Sequence, residues 1–335
     1  MVWFWGILGI LAILLVGSYF CAQAAFRVPK NLEKYLYKLP NTPQYSPYAK
    51  QVREMIDKAL AIPYEDVWTT SQDGLRLHGK FYPAADPKAP VQILCHGYQS
   101  IAEKDFCGGL PMGLADGCAV LMIDQRAHGK SEGKYLTFGV KERLDCLCWI
   151  DFIRKKCGPD VKILLYGMSM GAATVLMAAG EDLPENVVGI AADCGYSSPR
   201  AIIRKVLKDR HLPVALYPLV RLGAILFAHF DPDSVGADTA LERCRIPVLL
   251  VHGDDDRFVP CDMSREMYRR CGSKDKELLI IPTAGHVPAT WWTMTAIGKP
   301  SPISSAVPST RRGKQKCGSD FIASQANDVM ETSTE

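Results

Sequence analysis

A large surplus of charge of either sign is absent from this sequence of 335 residues, which carries 39 Lys and Arg against 36 Asp and Glu. The formal net charge of +3 argues against a nucleic-acid-binding surface spread over a domain of this size. The nucleotide-binding pattern G-x-x-x-x-G-K-[ST] is also missing, which removes the main support for nucleotide chemistry. With 48% hydrophobic and 22% charged residues, the composition is that of a globular chain rather than a fibrous or disordered one.

The twelve cysteines include no C-x-x-C pair and only one C-x-C pair, so neither a thioredoxin-like motif nor a zinc-finger spacing is supported. Several cysteines lie in or beside apolar runs, as small buried hydrophobic residues do. These are Cys95, Cys118, Cys194 and Cys244. We therefore interpret the cysteines as mostly reduced thiols and expect neither a metal nor a redox cofactor.

No charged side chain occurs before Arg27, and the run VWFWGILGILAILLVGSYF at residues 2–20 is long enough to cross a bilayer core of about 30 Å. A cleaved signal peptide is the alternative, because Ala22-Gln23-Ala24 resembles a cleavage site, but a basic n-region is missing. Lys and Arg follow the run and none precedes it, which favours a cytoplasmic location for the rest of the chain. Reduced cysteines agree with that location. We expect residues 1–26 to be a single transmembrane anchor in the cell membrane.

Further along the chain, short β-branched runs alternate with segments of helical period. The runs read EDVWTTS, LRLHGKFY, VQILCHG, CAVLMID, VKILLYG, VVGIAADC, PVLLVHG and KELLIIP. Most are apolar throughout rather than alternating, which favours a parallel sheet whose two faces are both covered by helices. We predict one α/β domain at residues 61–286, with a mostly parallel sheet flanked by helices. Residues 27–60 are predicted to be a juxtamembrane connector and helix.

Two regions break this alternation. About fifty residues separate VVGIAADC from PVLLVHG, far more than a strand connection needs, and they contain the apolar stretch LYPLVRLGAILFAHF. We interpret residues of about 195–240 as a helical cap over the site, and contact with a membrane surface is the alternative. Residues 287–335 are rich in Ser, Thr, Pro and Gly and are predicted to be a disordered tail.

The pentapeptide Gly167-Met168-Ser169-Met170-Gly171 directly follows the predicted strand VKILLYG and precedes a helical segment. A G-x-S-x-G pattern alone is weak, but a sharp strand-to-helix turn is the setting in which such a serine is lifted above the sheet. We predict that Ser169 is a nucleophile. The backbone amide of Met170, at a helix N-terminus, is then a candidate donor to an oxyanion.

A serine hydroxyl needs a base, and the base needs a carboxylate that fixes its tautomer. His286 follows the last predicted strand, and Asp256 follows the strand before it. Because the carboxyl ends of parallel strands open onto one crevice, these groups can converge there. We choose Asp256 as the carboxylate. The alternatives are Asp254, Asp255 and Asp193.

A second oxyanion donor is expected in the loop after VQILC, where His96-Gly97-Tyr98 lets the backbone approach a substrate closely. We nominate the backbone amide of Tyr98. An ordinary turn is the alternative interpretation of this loop.

Taken together, several motifs resemble those of the α/β-hydrolase superfamily over roughly residues 60 to 286. They are His96-Gly97-Tyr98, the loop DQRAHGKSEG at residues 124–133, Gly167-Met168-Ser169-Met170-Gly171, Asp256-Arg257-Phe258-Val259-Pro260 and Gly285-His286. More narrowly, the chain is similar to membrane-anchored bacterial hydrolases grouped with serine aminopeptidase-like proteins and esterases.

The resemblance implies the α/β-hydrolase fold and a catalytic triad of Ser169, Asp256 and His286, with a structural role for the loop at residues 124–133. It implies a serine hydrolase that acts on a small acyl-bearing substrate, with a carboxylic ester favoured over a thioester or an amide. An aminopeptidase-type peptidase and a non-catalytic binding protein on the same fold remain alternatives. Members of the family continue past the histidine into a helix that covers the sheet, whereas a polar segment follows here, so that closing helix is expected to be missing.

Overall fold

The structure is a computed structural model and describes residues 1–29, 31–39, 46 and 49–286. Within these ranges the strands β1 to β8 are Glu65–Thr70, Arg76–Tyr82, Val91–Cys95, Ala119–Ile123, Ile163–Met168, Val187–Asp193, Val248–Gly253 and Lys276–Ile281. The α-helices α1 to α10 are Val2–Phe26, Ala49–Leu60, Ala102–Asp105, Gly109–Ala115, Glu142–Cys157, Met170–Ala178, Pro199–Asp209, Tyr217–Phe227, Ala237–Ala240 and Cys261–Arg270. The predicted tail and the expected loss of a closing helix both lie outside the described residues.

All eight strands form one sheet in the order β1-β2-β4-β3-β5-β6-β7-β8. Strand β2 is antiparallel to both β1 and β4, and every other neighbouring pair is parallel. The registers place Ile93 of β3 opposite Leu121 of β4 on one side and Leu165 of β5 on the other. This topology confirms the predicted mostly parallel sheet.

Both faces of the sheet are buried, as the apolar strands predict. Ile93 and Leu94 are neighbours in β3 and are both fully buried, yet they belong to two different core clusters. Successive side chains of a strand point to opposite faces, so the two clusters are the two faces of the sheet. Trp149 of α5 packs in the first cluster with Ile93, and Ile56 of α2 packs in the second with Leu94. Helices therefore cover the sheet on both sides.

The chain between β6 and β7, which contains the segment interpreted as a cap, holds the helices α7, α8 and α9. The long helix α1 packs against α8 along its second half. Ser18, Ala22 and Phe26, spaced four residues apart on one face of α1, are fully buried there. Among the described helices, the segment Trp3–Phe26 of α1 has the length and apolar composition of a bilayer span.

The loop after β4 is held by a buried ion-pair network centred on Arg126. Its guanidinium donates to Asp145 of α5 from Nε (2.7 Å) and Nη2 (2.6 Å), and to Asp73 from Nη1 (3.0 Å) and Nη2 (3.2 Å). Burial raises the pKa of Asp145 to about 6, although the hydrogen bonds from Arg126 act in the opposite direction. The network joins three segments of the chain, and such a joint agrees with a structural role for this loop.

We expect the substitution Arg126→Met to lower the free energy of unfolding by about 3–5 kcal/mol, because it leaves the buried carboxylate of Asp145 without its cation. Arg257→Met is the matched control, since the Arg257 side chain is 86% exposed and pairs with Asp255 at the surface. The control should change stability by less than about 1 kcal/mol. Urea unfolding of the full chain in detergent measures both. Equal losses in the two variants would contradict the proposed importance of the network.

Candidate active site

Ser169 occupies a strained backbone turn between β5 and α6. Its φ of 54° and ψ of −112° fall outside the regions that residues with a side chain usually adopt. A Cβ on Gly167 would lie 2.1 Å from the carbonyl oxygen of Gly171, and a Cβ on Gly171 would lie 1.8 Å from that of Cys95. Only glycine fits at either flank, so the G-x-S-x-G spacing produces the sharp turn that the sequence predicts.

Three predicted residues are brought together at the carboxyl ends of β5, β7 and β8. The distance from Ser169 Oγ to His286 Nε2 is 3.0 Å, and that from His286 Nδ1 to Asp256 Oδ2 is 2.7 Å. If Nδ1 carries the proton that is donated to the carboxylate, Nε2 is left to accept the hydroxyl proton of Ser169. A series of hydrogen bonds of this kind can activate a serine hydroxyl as a nucleophile.

Asp256 is fixed from several directions. Its Oδ1 accepts the backbone N–H groups of Phe258 (2.9 Å) and Val259 (2.8 Å), and His252 Nε2 lies 3.2 Å from Oδ2. Burial raises the pKa of the Asp256 carboxyl, but the hydrogen bonds with His252 and His286 outweigh it and hold that pKa below its usual range. The group is therefore a carboxylate at neutral pH and favours a positive charge on the neighbouring imidazole.

The alternative carboxylates have other surroundings. Asp254 accepts the backbone N–H of Thr283 (2.6 Å). Asp255 forms a surface pair with Arg257 at 3.1 Å. Asp193 is fully buried at the end of β6, and its backbone oxygen accepts the N–H of Ser169 (2.8 Å).

The two candidate oxyanion donors lie on either side of the serine. Met170 is the first residue of α6, directly after Ser169. On the other side, a Cβ on Gly97 would lie 3.4 Å from Ser169 Cβ, which places the His96-Gly97-Tyr98 loop against the serine. The side chain of Tyr98 points elsewhere, since its hydroxyl donates to the backbone oxygen of Ala25 (3.1 Å). Amide groups near a serine in this way can stabilise negative charge on a substrate oxygen.

Asp105 is a residue of this site that the sequence analysis did not identify. Its Oδ2 accepts the N–H of Gly97 (2.7 Å) and its Oδ1 accepts the hydroxyl of Ser100 (2.5 Å), so it braces the loop beside the serine. Burial raises the pKa of this carboxyl, although those two hydrogen bonds lower it in part. Asp105 lies in a four-residue helix outside the quoted motifs, so the sequence carried no signal for it.

A group of potential metal ligands overlaps this arrangement. Within the part of the chain that the structure describes, ligand atoms of Cys194, Asp256 and His286 lie within 4.8 Å of one another. Sulfur, nitrogen and carboxylate donors of this kind suit a zinc ion. Since Asp256 and His286 are already hydrogen-bonded to each other, an ion bound there would compete with the contact between them.

The family model described as "Alpha/beta hydrolase family" matches residues 92–290. This range includes Ser169, Asp256 and His286. Among solved structures, an esterase from Pyrococcus furiosus is similar, with a TM-score of 0.56 and 27% sequence identity. The similarity covers 71% of this chain and 91% of the esterase.

Two relatives known from sequence are similar at a comparable level. The uncharacterized protein YqkD of Bacillus subtilis is 26% identical over 180 residues, which are 53% of this chain and 59% of YqkD. The chain thus spans less than two thirds of that relative. A monoacylglycerol lipase of Mycolicibacterium smegmatis is 26% identical over 253 residues, which cover 66% of this chain and 84% of the lipase.

The carboxylate of Asp256 should make stability depend on pH. Because the folded-state pKa lies below the ordinary value of 3.8, its contribution is complete above about pH 5 and is lost as the pH falls through the folded-state pKa. We expect Asp256→Asn to lower the free energy of unfolding by about 1.5–3 kcal/mol at pH 7 and by less at pH 3. Urea unfolding in detergent at the two pH values measures the difference.

Asp255→Asn is the matched control for this experiment, because it alters a neighbouring carboxylate whose side chain is 43% exposed. Its effect should stay within about 1 kcal/mol at pH 7. A loss for Asp256→Asn that is the same at both pH values, or no larger than that of the control, would contradict the prediction.

Proposed function

Because the chain belongs to the alpha/beta hydrolase family, we propose that it is a serine hydrolase that cleaves a carboxylic ester or a related acyl bond. In this proposal Ser169 is the nucleophile, His286 the general base and Asp256 the carboxylate that orients the base. The observation that carries the proposal is the hydrogen-bond chain through the three side chains, with distances of 3.0 Å and 2.7 Å. An esterase and a monoacylglycerol lipase among the similar proteins support the acyl-ester class.

The proposed reaction runs through an acyl-enzyme. His286 Nε2 takes the proton of Ser169 as Oγ attacks the carbonyl carbon of the substrate, and the proton then passes to the departing alkoxide. A water molecule, deprotonated by the same imidazole, attacks the acyl-serine, which releases the acid and restores the hydroxyl of Ser169. Asp256 keeps Nδ1 protonated and stabilises the imidazolium between the two proton transfers.

The backbone amides of Met170 and Tyr98 complete the proposed mechanism as the oxyanion hole. A donor at such a position is typically worth about 3 kcal/mol in the transition state. Asp105, which holds the N–H of Gly97, keeps the preceding residue of this loop in place. These steps draw on side chains, backbone amides and water, and they require no metal or redox cofactor.

We expect Ser169→Ala to abolish labelling by a fluorophosphonate probe and to lower hydrolysis of nitrophenyl esters by about 10⁴-fold or more. Ser197→Ala is the matched control, because it removes the hydroxyl of another buried serine. The control should keep both labelling and turnover. Continued labelling of the Ser169→Ala protein would reject the assignment.

The same assay should include an aminoacyl nitroanilide beside the nitrophenyl esters. An ester is the easier substrate, because resonance stabilises an amide bond more strongly and an alkoxide is a better leaving group than an amide anion. We expect ester turnover to exceed amide turnover for the unmodified chain. The reverse order would replace the ester by a peptide-like amide as the proposed substrate.

We further propose that helix Trp3–Phe26 anchors the protein in a membrane, with the hydrolase domain on the cytoplasmic side. Support for this orientation comes from Lys and Arg residues that follow the helix, starting with Arg27, and from free cysteines throughout the described residues. Cys148 and Cys157 on α5 are partly exposed and report on the side of the membrane. An impermeant maleimide should label them only after cells are permeabilised.

The experiment is run in a Cys317→Ser background, since this cysteine lies outside the domain, and adding Cys148→Ser and Cys157→Ser to it should lower the signal after permeabilisation to the level set by Cys21. Labelling of Cys148 or Cys157 in intact cells would place the domain outside and overturn the orientation.

A further inference from the structure

The second half of α1 lies directly on the helix α8 of the segment between β6 and β7. A Cβ on Gly223 of α8 would lie 2.2 Å from the backbone oxygen of Ser18, so only glycine permits the two helices to approach so closely. Gly17 faces Leu219, which lies one turn before Gly223 in α8, and the ring centroids of Tyr19 and Phe227 are 5.2 Å apart. The candidate membrane span and α8 therefore form one packed pair of helices.

The length of α1 determines how deep in the membrane the pair of α1 and α8 lies. Residues 3–16 are all exposed and, at 1.5 Å per residue, extend roughly 21 Å. A bilayer core of about 30 Å requires about 20 residues, so a span that begins at Trp3 ends near Ala22. Gly17, Ser18 and Tyr19 of α1, which contact α8, lie within that span. Part of α8 must then lie at the depth of the hydrocarbon.

The outer face of α8 has the composition that this depth requires. Leu222, Ile225 and Leu226 are 36%, 41% and 43% exposed, and they form an apolar patch. Arg221 is the charged residue of α8, and it donates to Asp231 from Nε (2.8 Å) and Nη2 (2.7 Å). A helix that keeps large aliphatic side chains outward and its one cation paired is suited to the membrane boundary.

Basic side chains lie on the helix next to α8. Helix α7, which packs against α8, exposes Arg204 and Lys208, and Arg210 directly after the helix is exposed as well. The acidic residue near them, Asp209, is paired with Lys205. Exposed cations beside an apolar surface match the negative headgroups and the acyl chains of a phospholipid layer.

We infer that α8 is embedded in the surface of the bilayer, with Leu222, Ile225 and Leu226 in contact with phospholipid acyl chains. The inference rests on the proposed membrane anchoring and adds a second membrane contact, made by the segment that the sequence assigns to the cap. The proposed partner is phospholipid. Its acyl chains contact α8, and its charged headgroups contact α7.

Photo-crosslinking to lipid tests this inference on the full chain. A diazirine-bearing amino acid replaces Leu226 on α8, Ile10 on α1 or Leu60 on α2, and each protein is reconstituted into vesicles of phosphatidylcholine and phosphatidylglycerol. Leu60 is the matched control, because it is also a leucine with 43% exposure and its helix packs on the opposite face of the sheet. All three side chains are exposed, so the replacements leave the core intact.

We expect lipid adducts at positions 226 and 10, with a yield at 226 at least about tenfold above that at 60, since an embedded apolar face lies about 5–10 Å into the layer. Adducts at 10 without adducts at 226 would overturn the inference and leave the anchor in place. Adducts at none of the positions would overturn both. Equal yields at 226 and 60 would show unspecific contact with lipid and also overturn the inference.

Discussion

The backbone turn at Ser169 is the constraint around which the rest of the site is arranged. A positive φ at a residue with a side chain costs about 1–3 kcal/mol, and it persists only where the surrounding structure holds it. Here the N–H of Ser169 donates to Asp193 of β6, and Gly171 is pressed against the carbonyl of Cys95 in β3. The strands on both sides of β5 thus hold the turn, and their contacts with it offset the cost of its strained backbone.

The same sheet explains why residues far apart in the chain meet at that turn. Strands β7 and β8 are adjacent and parallel, so the loops after them leave the sheet side by side. Hydrogen bonds then join the loops, from the N–H of Asp254 to Ile281 (3.1 Å) and from the N–H of Asp255 to Ala284 (3.1 Å). Asp256 and His286 therefore approach Ser169 as one braced unit, and positioning of this kind lowers the cost of bringing reacting groups together.

Local patterns in the sequence predicted much of this architecture. The strands follow from short apolar runs, α5 is one of the segments of helical period between them, and the serine turn follows from the spacing of its two glycines. Asp105 escaped prediction because its partner, the N–H of Gly97, is a backbone group that any residue type offers. The packing of α1 on α8 escaped it for a different reason: the contact pairs residues about two hundred positions apart, and a uniformly apolar helix shows no face that favours one partner.

The carboxyl end of α1 also packs inside the folded domain. Phe26 lies in the main core cluster and meets Phe138 and Phe230 edge to face at 5.8 Å and 5.1 Å. Its backbone oxygen accepts the N–H of Leu136, and the neighbouring oxygen of Ala25 accepts the hydroxyl of Tyr98. Tyr98 belongs to the loop that lies against Ser169. The end of the apolar helix is therefore part of the folded domain and supports the loop beside the serine, so this helix and the site are parts of one packed structure.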